Sequence, residues 1–161
     1  MKAVYPGTFD PITKGHLDII ERAACIFDEV DVLIMVNVRK QCLFTEEERK
    51  QMIIDSLQEL ENKDRINVRI GSGLTVRFAE KLNADALIRG IRAVSDYEYE
   101  LQQATANMVL NNKLETVFLI AKPEFSFLSS SVVKEIAMNG GDISEFVPEE
   151  IAVRVINKYG H

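Results

Sequence analysis

The spacing of hydrophobic residues along the chain alternates between the pattern of buried strands and that of amphipathic helices. Apolar runs of strand type cover residues 2–5, 31–38, 66–70, 86–89 and 116–120. Helical patterns cover residues 14–27, 75–82 and 96–110, and further helices are predicted from Thr45, after residues 129–131 and at Pro148. Near-continuous apolar strands are typical of sheets covered on both faces. Five strands, each followed by a helix, predict an α/β fold with a doubly wound, five-stranded parallel sheet.

Capping and turn residues mark the ends of several predicted helices. Thr13 has the position of an N-cap for the first helix, and Thr45 with Glu48 has the spacing of a capping box. Pro148 fits the first turn of the last helix. The glycines that follow predicted helices are Gly140, Gly141 and Gly160. The helix boundaries are therefore predicted from local chemistry alone.

Residues 5–16 (YPGTFDPITKGH) join the first strand to the first helix and contain the strongest candidate site. Their two prolines and the glycine at position 7 predict that the strand ends before Pro6. The loop then lies at the carboxyl end of the sheet, where ligands bind in open α/β folds. Gly15 lets a ligand approach the backbone, and His16 in the first helical turn would face an anion. The alternative is an ordinary turn and a surface histidine, since a helix N-terminus favours an anion by only roughly 0.3–1 kcal/mol.

Three later loops at the same edge of the sheet contain basic or hydroxyl side chains. Lys40 follows the second strand, Arg89 and Arg92 flank Gly90, and residues 129–131 are three serines at a helix start. Arginine forks and free N–H groups at a helix start both suit phosphate oxygens. The alternatives are a solvated lysine, arginines paired with acids of the next helix, and a serine that only caps.

Composition and charge restrict the class of protein. The chain has 161 residues, of which 47% are hydrophobic and 27% charged, so we expect one domain over residues 1–161. Its start lacks the apolar run of a signal peptide, and no run approaches the roughly 18 residues that span a bilayer. We therefore expect a soluble, cytoplasmic protein with no membrane partner. The net charge of −6 argues against nucleic acid as a partner, but it leaves room for a local basic pocket that binds a small anion.

The two cysteines, Cys25 and Cys42, have neither the spacing of a metal site nor that of a redox pair. We expect reduced thiols. Cys25 falls within a helical apolar pattern and is predicted to lie in the core, whereas Cys42 lies in a loop near Lys40 and is predicted to be accessible.

Four segments together resemble a known family. They are residues 5–16, 44–49 (FTEEER), 88–100 (IRGIRAVSDYEYE) and 127–134 (FLSSSVVK). In order and spacing, and nearly end to end, they are similar to bacterial phosphopantetheine adenylyltransferases of the class I nucleotidyltransferase superfamily. The third segment distinguishes this family from related cytidylyl and nicotinamide mononucleotide adenylyl transferases. Two departures, Gly73 for an acid and Phe125 for a tryptophan of some relatives, affect only details of acceptor contacts.

The resemblance implies a Rossmann-like nucleotidyltransferase fold and a defined reaction. AMP would pass from ATP to 4′-phosphopantetheine, giving dephospho-coenzyme A and pyrophosphate in coenzyme A biosynthesis. Because the acceptor phosphate is already an anionic nucleophile, no general base is required, and catalysis is positioning with charge stabilisation. The implied catalytic residues are His16, Lys40 and Arg92. Mg²⁺ would accompany ATP without protein ligands.

The resemblance also assigns binding residues and partners. The implied ATP-binding residues are Thr8, Phe9, Gly15, His16, Gly90, Arg92, Glu100, Ser129, Ser130 and Ser131. The implied acceptor-binding residues are Thr8, Lys40, Leu74, Thr75, Arg89 and Asn107. The alternative for Leu74 is simple packing. Coenzyme A is a candidate inhibitor, and a homo-hexamer joined through an exposed apolar helix face is the implied assembly.

Two other functions remain as alternatives. A different adenylyl or cytidylyl transferase would keep residues 13–16 and the serines but would not need residues 89–92 and 97–100. A non-catalytic nucleotide sensor would be expected to lack His16 or Lys40, and both are present.

Overall fold

The computed structural model describes residues 1–160 and confirms the predicted sheet. Its five strands are β1 (Lys2–Gly7), β2 (Glu29–Val36), β3 (Ile66–Ser72), β4 (Ala86–Ile91) and β5 (Glu115–Ile120). All neighbours pair in parallel, in the order β3-β2-β1-β4-β5. The chain therefore winds outward from β1 in one direction and then returns to fill the other half. The point where the direction reverses lies between β1 and β4, the usual position of a ligand crevice.

Six helices of the described residues 1–160 cover the two faces of the sheet. They are α1 (Lys14–Ile26), α2 (Glu46–Ser56), α3 (Thr75–Lys81), α4 (Val94–Leu110), α5 (Ser130–Met138) and α6 (Glu149–Lys158), with short 3₁₀ turns at Lys63–Arg65 and Pro123–Phe125. The larger apolar core joins one sheet face to α1, α2, α5 and α6, and a smaller core joins the other face to α3. Within residues 1–160 no helix is long and apolar enough to cross a membrane.

Strand β1 is longer than predicted, because Pro6 and Gly7 belong to it. The strand pairs with β2 along its whole length but with β4 only at Ala3 and Val4. Proline has no backbone N–H and cannot complete hydrogen-bond ladders to two neighbouring strands. It is tolerated at position 6 because β4 no longer pairs with β1 there. The carbonyl of Pro6 instead accepts a hydrogen bond from Arg89 Nη1 at 2.7 Å. The separation of β1 from β4 opens the crevice.

Most predicted helix ends are confirmed. Thr13 caps α1, and Thr45 and Glu48 form a reciprocal capping box on α2, with bonds of 2.8 and 3.2 Å. The prediction for Pro148 was wrong by one position, since it is the N-cap of α6 and not part of its first turn. Gly140 and Gly160 have φ values of +77° and +74°, the left-handed conformation that favours glycine after a helix.

The prediction that Cys25 lies in the core was wrong. Its side chain is exposed, while its neighbours Ala23 and Ala24 are fully buried. Successive helical residues are rotated by about 100°, so a residue next to the buried stripe can point to solvent. Cys42 is partly exposed, which agrees with its predicted accessibility.

Candidate active site

A cavity of about 340 Å³ lies at the point where the winding of the sheet reverses. It is bounded by the loops after β1, β2, β4 and β5 and by the start of α1. The predicted site residues that line it are Thr8, Phe9, Gly15, His16, Lys40, Arg89, Gly90, Arg92, Glu100, Ser129 and Ser130. Residues separated by more than a hundred positions in sequence thus meet in one place.

A second cavity of about 690 Å³ adjoins the first on the side of α3 and α4. Leu74, Thr75 and Asn107, the predicted acceptor residues on these elements, line it. Leu74 is 57% exposed, so it does not simply pack in the core. The two cavities share Pro6, Arg89 and Glu100 as a common wall.

Ser131 lies away from both cavities. It is exposed and lines a different open cleft with Cys42 and Lys134. Ser129 and Ser130 are held in place by one local and one long-range hydrogen bond: Ser129 Oγ accepts the N–H of Val132 at 3.1 Å, and Ser130 Oγ donates to the carbonyl of Pro11 at 2.8 Å. The structure therefore groups two of the three serines with the other candidate residues.

The imidazole of His16 has a defined tautomer. Thr13 N–H donates to His16 Nδ1 at 3.0 Å, while His16 N–H donates to Thr13 Oγ1 at 3.2 Å. This is a capping box in which histidine occupies the place usually taken by Glu or Gln. A backbone N–H is always a donor, so Nδ1 must accept and the neutral ring carries its proton on Nε2. Helix capping thus prepares His16 as a hydrogen-bond donor.

The pKa of His16 is lowered from 6.5 to about 4. Desolvation is the main cause, and the positive charges of Arg92 and Arg89 add to it. Each of these effects disfavours imidazolium. At neutral pH the ring is therefore uncharged, and its Nε2–H is available to donate a hydrogen bond to an anionic oxygen.

The ring of Phe9 fixes the loop on which these groups sit. Its backbone has φ +52°, which is rare for a residue other than glycine. The ring is 3% exposed and packs edge-on against Tyr5 at 5.4 Å and His16 at 5.0 Å between centroids. A Cβ on Gly7 would lie 2.9 Å from Phe9 Cζ, so the tight turn also needs that glycine. The surrounding contacts offset the backbone strain, which is of order 1–3 kcal/mol.

Lys40 and Thr8 meet across the cavity. Lys40 Nζ lies 3.4 Å from Thr8 Oγ1, and within residues 1–160 this lysine forms no ion pair. The backbone at Thr8 is held from below by Arg49, whose Nη1 donates to the Thr8 carbonyl at 2.9 Å. Lys40 is thus a cation available to an anionic ligand.

The two predicted arginines do pair with acids, but they do so at the wall of the cavity and not on the outer surface. Arg89 makes a bidentate pair with Glu100 at 2.7 and 2.8 Å, and Glu100 is 8% exposed. Arg92 pairs with Asp96 at 3.1 Å and donates to the carbonyl of Leu128 at 2.8 Å. The predicted ion pairs with the next helix are therefore present, and they orient both arginines where they line the cavity.

Two structural supports of this site received no role from the sequence. Arg49 is 3% exposed, and its guanidinium reaches the loop of Thr8 from α2. Asp96 orients Arg92 and lines the cavity. Both lie within segments that carry the family resemblance, 44–49 and 88–100, but their partners are loops that only the tertiary fold brings near.

The chain is similar to known proteins over most of its length. A family model described as cytidylyltransferase-like matches residues 4–136. The phosphopantetheine adenylyltransferase of Thermotoga neapolitana is 54% identical over 158 residues, which cover 98% of this chain and 96% of the relative. The chain belongs to the phosphopantetheine adenylyltransferase family. The enzyme of that name from Dictyoglomus thermophilum is 52% identical, with 99% of this chain and 96% of the relative covered.

The fold is shared more widely than the family. The nicotinic acid mononucleotide adenylyltransferase of Plasmodium falciparum, solved with NaAD, superposes with a TM-score of 0.70. It is 16% identical, with 98% of this chain and 95% of that chain covered. The two proteins share a fold, and the predicted family and fold of this chain are both confirmed.

Proposed function

We propose that the protein transfers AMP from ATP to 4′-phosphopantetheine and releases pyrophosphate and dephospho-coenzyme A. Relatives of that family at about half identity over nearly the whole chain support the choice of substrates. The observation that carries the chemistry is the capped, neutral His16 beside Lys40 and Thr8 in one cavity. Because ATP and the acceptor are soluble metabolites, we expect the enzyme to act in the cytoplasm, as a single domain.

The reaction is one in-line displacement at the α-phosphorus of ATP. A phosphate oxygen of the acceptor forms a bond to this phosphorus, and the bond to the bridging oxygen of the β-phosphate breaks, so that pyrophosphate leaves with the electron pair. The nucleophile is already ionised at neutral pH. The protein therefore needs to align two anions and stabilise the charge that spreads over the five-coordinate centre.

His16 and Lys40 divide this task. His16 Nε2–H donates to a non-bridging oxygen of the α-phosphate, where negative charge increases at the transition state. Lys40, with Thr8 beside it, lies between the acceptor phosphate and the α-phosphate and offsets their repulsion. A compact ammonium suits a position between two anions, whereas a planar guanidinium suits one bidentate partner.

The remaining wall holds the triphosphate and the base. Arg92 and the first N–H groups of α5 bind the β- and γ-phosphates, with Ser129 and Ser130 shaping that helix start. The site proposed for the nucleotide is bordered by the Phe9 loop, Gly15 and Gly90, and Glu100 lies at its edge. Ser131 is a less direct contact, since its side chain faces another cleft.

The second cavity holds the pantetheine arm. Leu74 and Thr75 form its wall at the start of α3, Asn107 its wall on α4, and Arg89 stands between the arm and the nucleotide. Thr116 Oγ1 is buried there without a hydrogen-bond partner within residues 1–160, so it can accept or donate to an amide of the arm. Coenzyme A contains the same arm and is therefore expected to compete with the acceptor.

Magnesium enters this proposal as part of the substrate MgATP. Within residues 1–160 no group of three or more His, Cys, Asp or Glu side chains is arranged to hold a metal ion. Both acids at the first cavity, Asp96 and Glu100, are engaged by arginines. The residues therefore fit a cation carried by phosphate oxygens and water, which screens the charge of the β- and γ-phosphates.

We propose in addition that α4 packs against other copies of this chain. Of the 17 residues of α4, two are buried, Glu100 and Ala104. Its exposed apolar side chains are Val94, Tyr97, Tyr99, Leu101, Met108, Val109 and Leu110. Such a surface on a helix that also lines the acceptor cavity is typical of an interface, and a hexamer is the assembly suggested by the family resemblance.

The assay is pyrophosphate release from MgATP with a choice of acceptors. We expect release with 4′-phosphopantetheine and none above background with nicotinate or nicotinamide mononucleotide. CTP in place of ATP tests the nucleotide. Faster turnover with another acceptor, or with CTP than with ATP, would show that the proposed substrates are wrong. The absence of any turnover by folded protein would contradict the proposal as a whole.

A further inference from the structure

Asp10 is a buried carboxylate that joins three separate segments of the chain. It is 1% exposed. Its Oδ1 accepts the N–H of Phe44 at 3.0 Å, and its Oδ2 accepts both the N–H of Leu43 at 2.8 Å and Lys134 Nζ at 3.0 Å. A buried carboxylate is unfavourable unless it is paired and hydrogen-bonded. These three donors satisfy it and fix its position.

Two of these donors belong to the segment that presents Lys40. Residues 37–44, called here the Lys40 segment, connect β2 to α2. Inside the segment, Lys40 N–H donates to the carbonyl of Asn37 at 3.0 Å. Leu43, Phe44 and Lys40 hydrogen-bond the segment to the loop of Thr8, and the Lys40 contact is long at 3.4 Å. The carboxylate of Asp10 thus supplies the short bonds between the two loops.

We propose that Asp10 is a positioning residue for the transfer reaction and acts through Lys40. By holding Leu43 and Phe44, it sets how far the Lys40 ammonium lies from Thr8 and His16. This inference rests on the proposed function, in which Lys40 brings two phosphates together. Displacement of a positioned group by about 1 Å is enough to lower a rate by about a hundredfold.

The chemistry of the side chain explains why an amide would not serve. Both carboxylate oxygens face donors, two backbone N–H groups and one ammonium. In Asp10→Asn the NH₂ group must face at least one of these donors, and the charge opposite Lys134 is lost. The variant therefore releases the Lys40 segment while the Thr8 carbonyl stays bound to Arg49.

The test is a double-mutant cycle of Asp10→Asn and Lys40→Ala, followed by kcat and KM for the acceptor. We expect Asp10→Asn to lower kcat/KM by about 10- to 100-fold when Lys40 is present. In the Lys40→Ala background the same change should lower it by less than about threefold, because the group it positions is already absent. Equal factors in the two backgrounds, or an unaltered rate in Asp10→Asn, would overturn the proposal.

A control and a second measurement separate positioning from general loss of structure. Asp18→Asn removes another buried carboxylate, which is paired with Arg22 and Lys122 and does not line the cavity, and it should leave the cycle additive. Hydrogen exchange at the amides of Leu43 and Phe44 should accelerate in Asp10→Asn but not in Asp18→Asn. Unchanged exchange at these amides would also overturn the proposal.

Two further arms cover the remaining cases. If Asp10→Asn does not fold, it is combined with Lys134→Met, which removes the cation left unpaired. The amide NH₂ still faces one of the two backbone donors in this double variant, and Lys134→Met alone is its reference. Additive behaviour there would then refute the proposal. If the unmodified protein shows no transfer, the proposed function fails, and the exchange measurement still reports whether Asp10 holds the Lys40 segment.

Discussion

The capping role of His16 predicts a specific dependence of stability on pH. The substitution His16→Gln keeps the capping box, because a Gln side-chain oxygen can accept the N–H of Thr13, but it removes the titrating ring. Comparison of the two proteins therefore isolates one proton. The carboxylates that dominate acid unfolding are common to both and cancel in the difference.

The sign and size follow from the lowered pKa. With a pKa of about 4 in the folded state and 6.5 in the unfolded state, His16 binds more protons when unfolded at any pH between these values. Its contribution to the free energy of unfolding is thus complete above pH 6.5 and falls as the pH decreases towards 4. At 1.36 kcal/mol per pKa unit the whole loss is about 3 kcal/mol, of which about 2 kcal/mol is lost by about pH 5. These are upper values, since the ring lines an open cavity and is only partly buried.

The measurement is urea unfolding of both proteins between pH 5 and 8 at one protein concentration. A fixed concentration matters because assembly would contribute to apparent stability. We expect the difference in unfolding free energy to be constant above pH 7 and to shift against the unmodified protein below it. A difference that does not change with pH would refute both the depressed pKa and the accepting role of Nδ1.

The remaining predictions concern turnover and assembly. His16→Ala should lower turnover about 10²–10³-fold in both directions with little change in Michaelis constants, because the donor acts on charge that develops at the transition state; a raised KM for ATP at normal turnover would instead indicate uniform binding. Lys40→Ala should lower turnover and weaken acceptor binding in steady-state assays. The control is Lys113→Ala, which changes an exposed lysine in the turn before β5 and should have neither effect. Near-normal rates for Lys40→Ala would show that Lys40 is only a solvated surface lysine. Sedimentation at micromolar concentration should give a mass well above the 18.2 kDa of one chain, and a monomer would contradict the role given to α4.

The sequence predicted those features that depend on local chemistry. Strand β2 is visible as an apolar run because a buried strand must be apolar, and the caps of α1 and α2 depend on residues three positions apart. The exposure of Cys25 was predicted wrongly because a rotation of one residue around the helix decides whether its side chain is buried or exposed. Pro6 was misplaced because the departure of β4 from β1 is a property of the whole sheet.

The candidate site was predicted as a set of residues but not as an arrangement. Residues 5–16 and 127–134 could be grouped by resemblance and by their expected place at the sheet edge. The bond from Thr13 N–H to His16 Nδ1 was not foreseen, although its three-residue spacing is that of a capping box. The supports at Arg49 and Asp10 could not be inferred, because each binds backbone groups of a loop that is more than thirty residues away.

The wall shared by the two cavities, formed by Pro6 and the Arg89–Glu100 pair, also bears on ligand design. If the two cavities hold the nucleotide and the pantetheine arm as proposed, a nucleoside fragment and a pantetheine fragment would each be a weak ligand of one of them. If a short linker across that wall joins the two fragments, binding of the first holds the second near its own cavity at an effective concentration of about a millimolar. Affinity would then rise without any new contact. A linker that passes along Pro6 leaves the ion pair closed, whereas one that passes between Arg89 and Glu100 must first separate them.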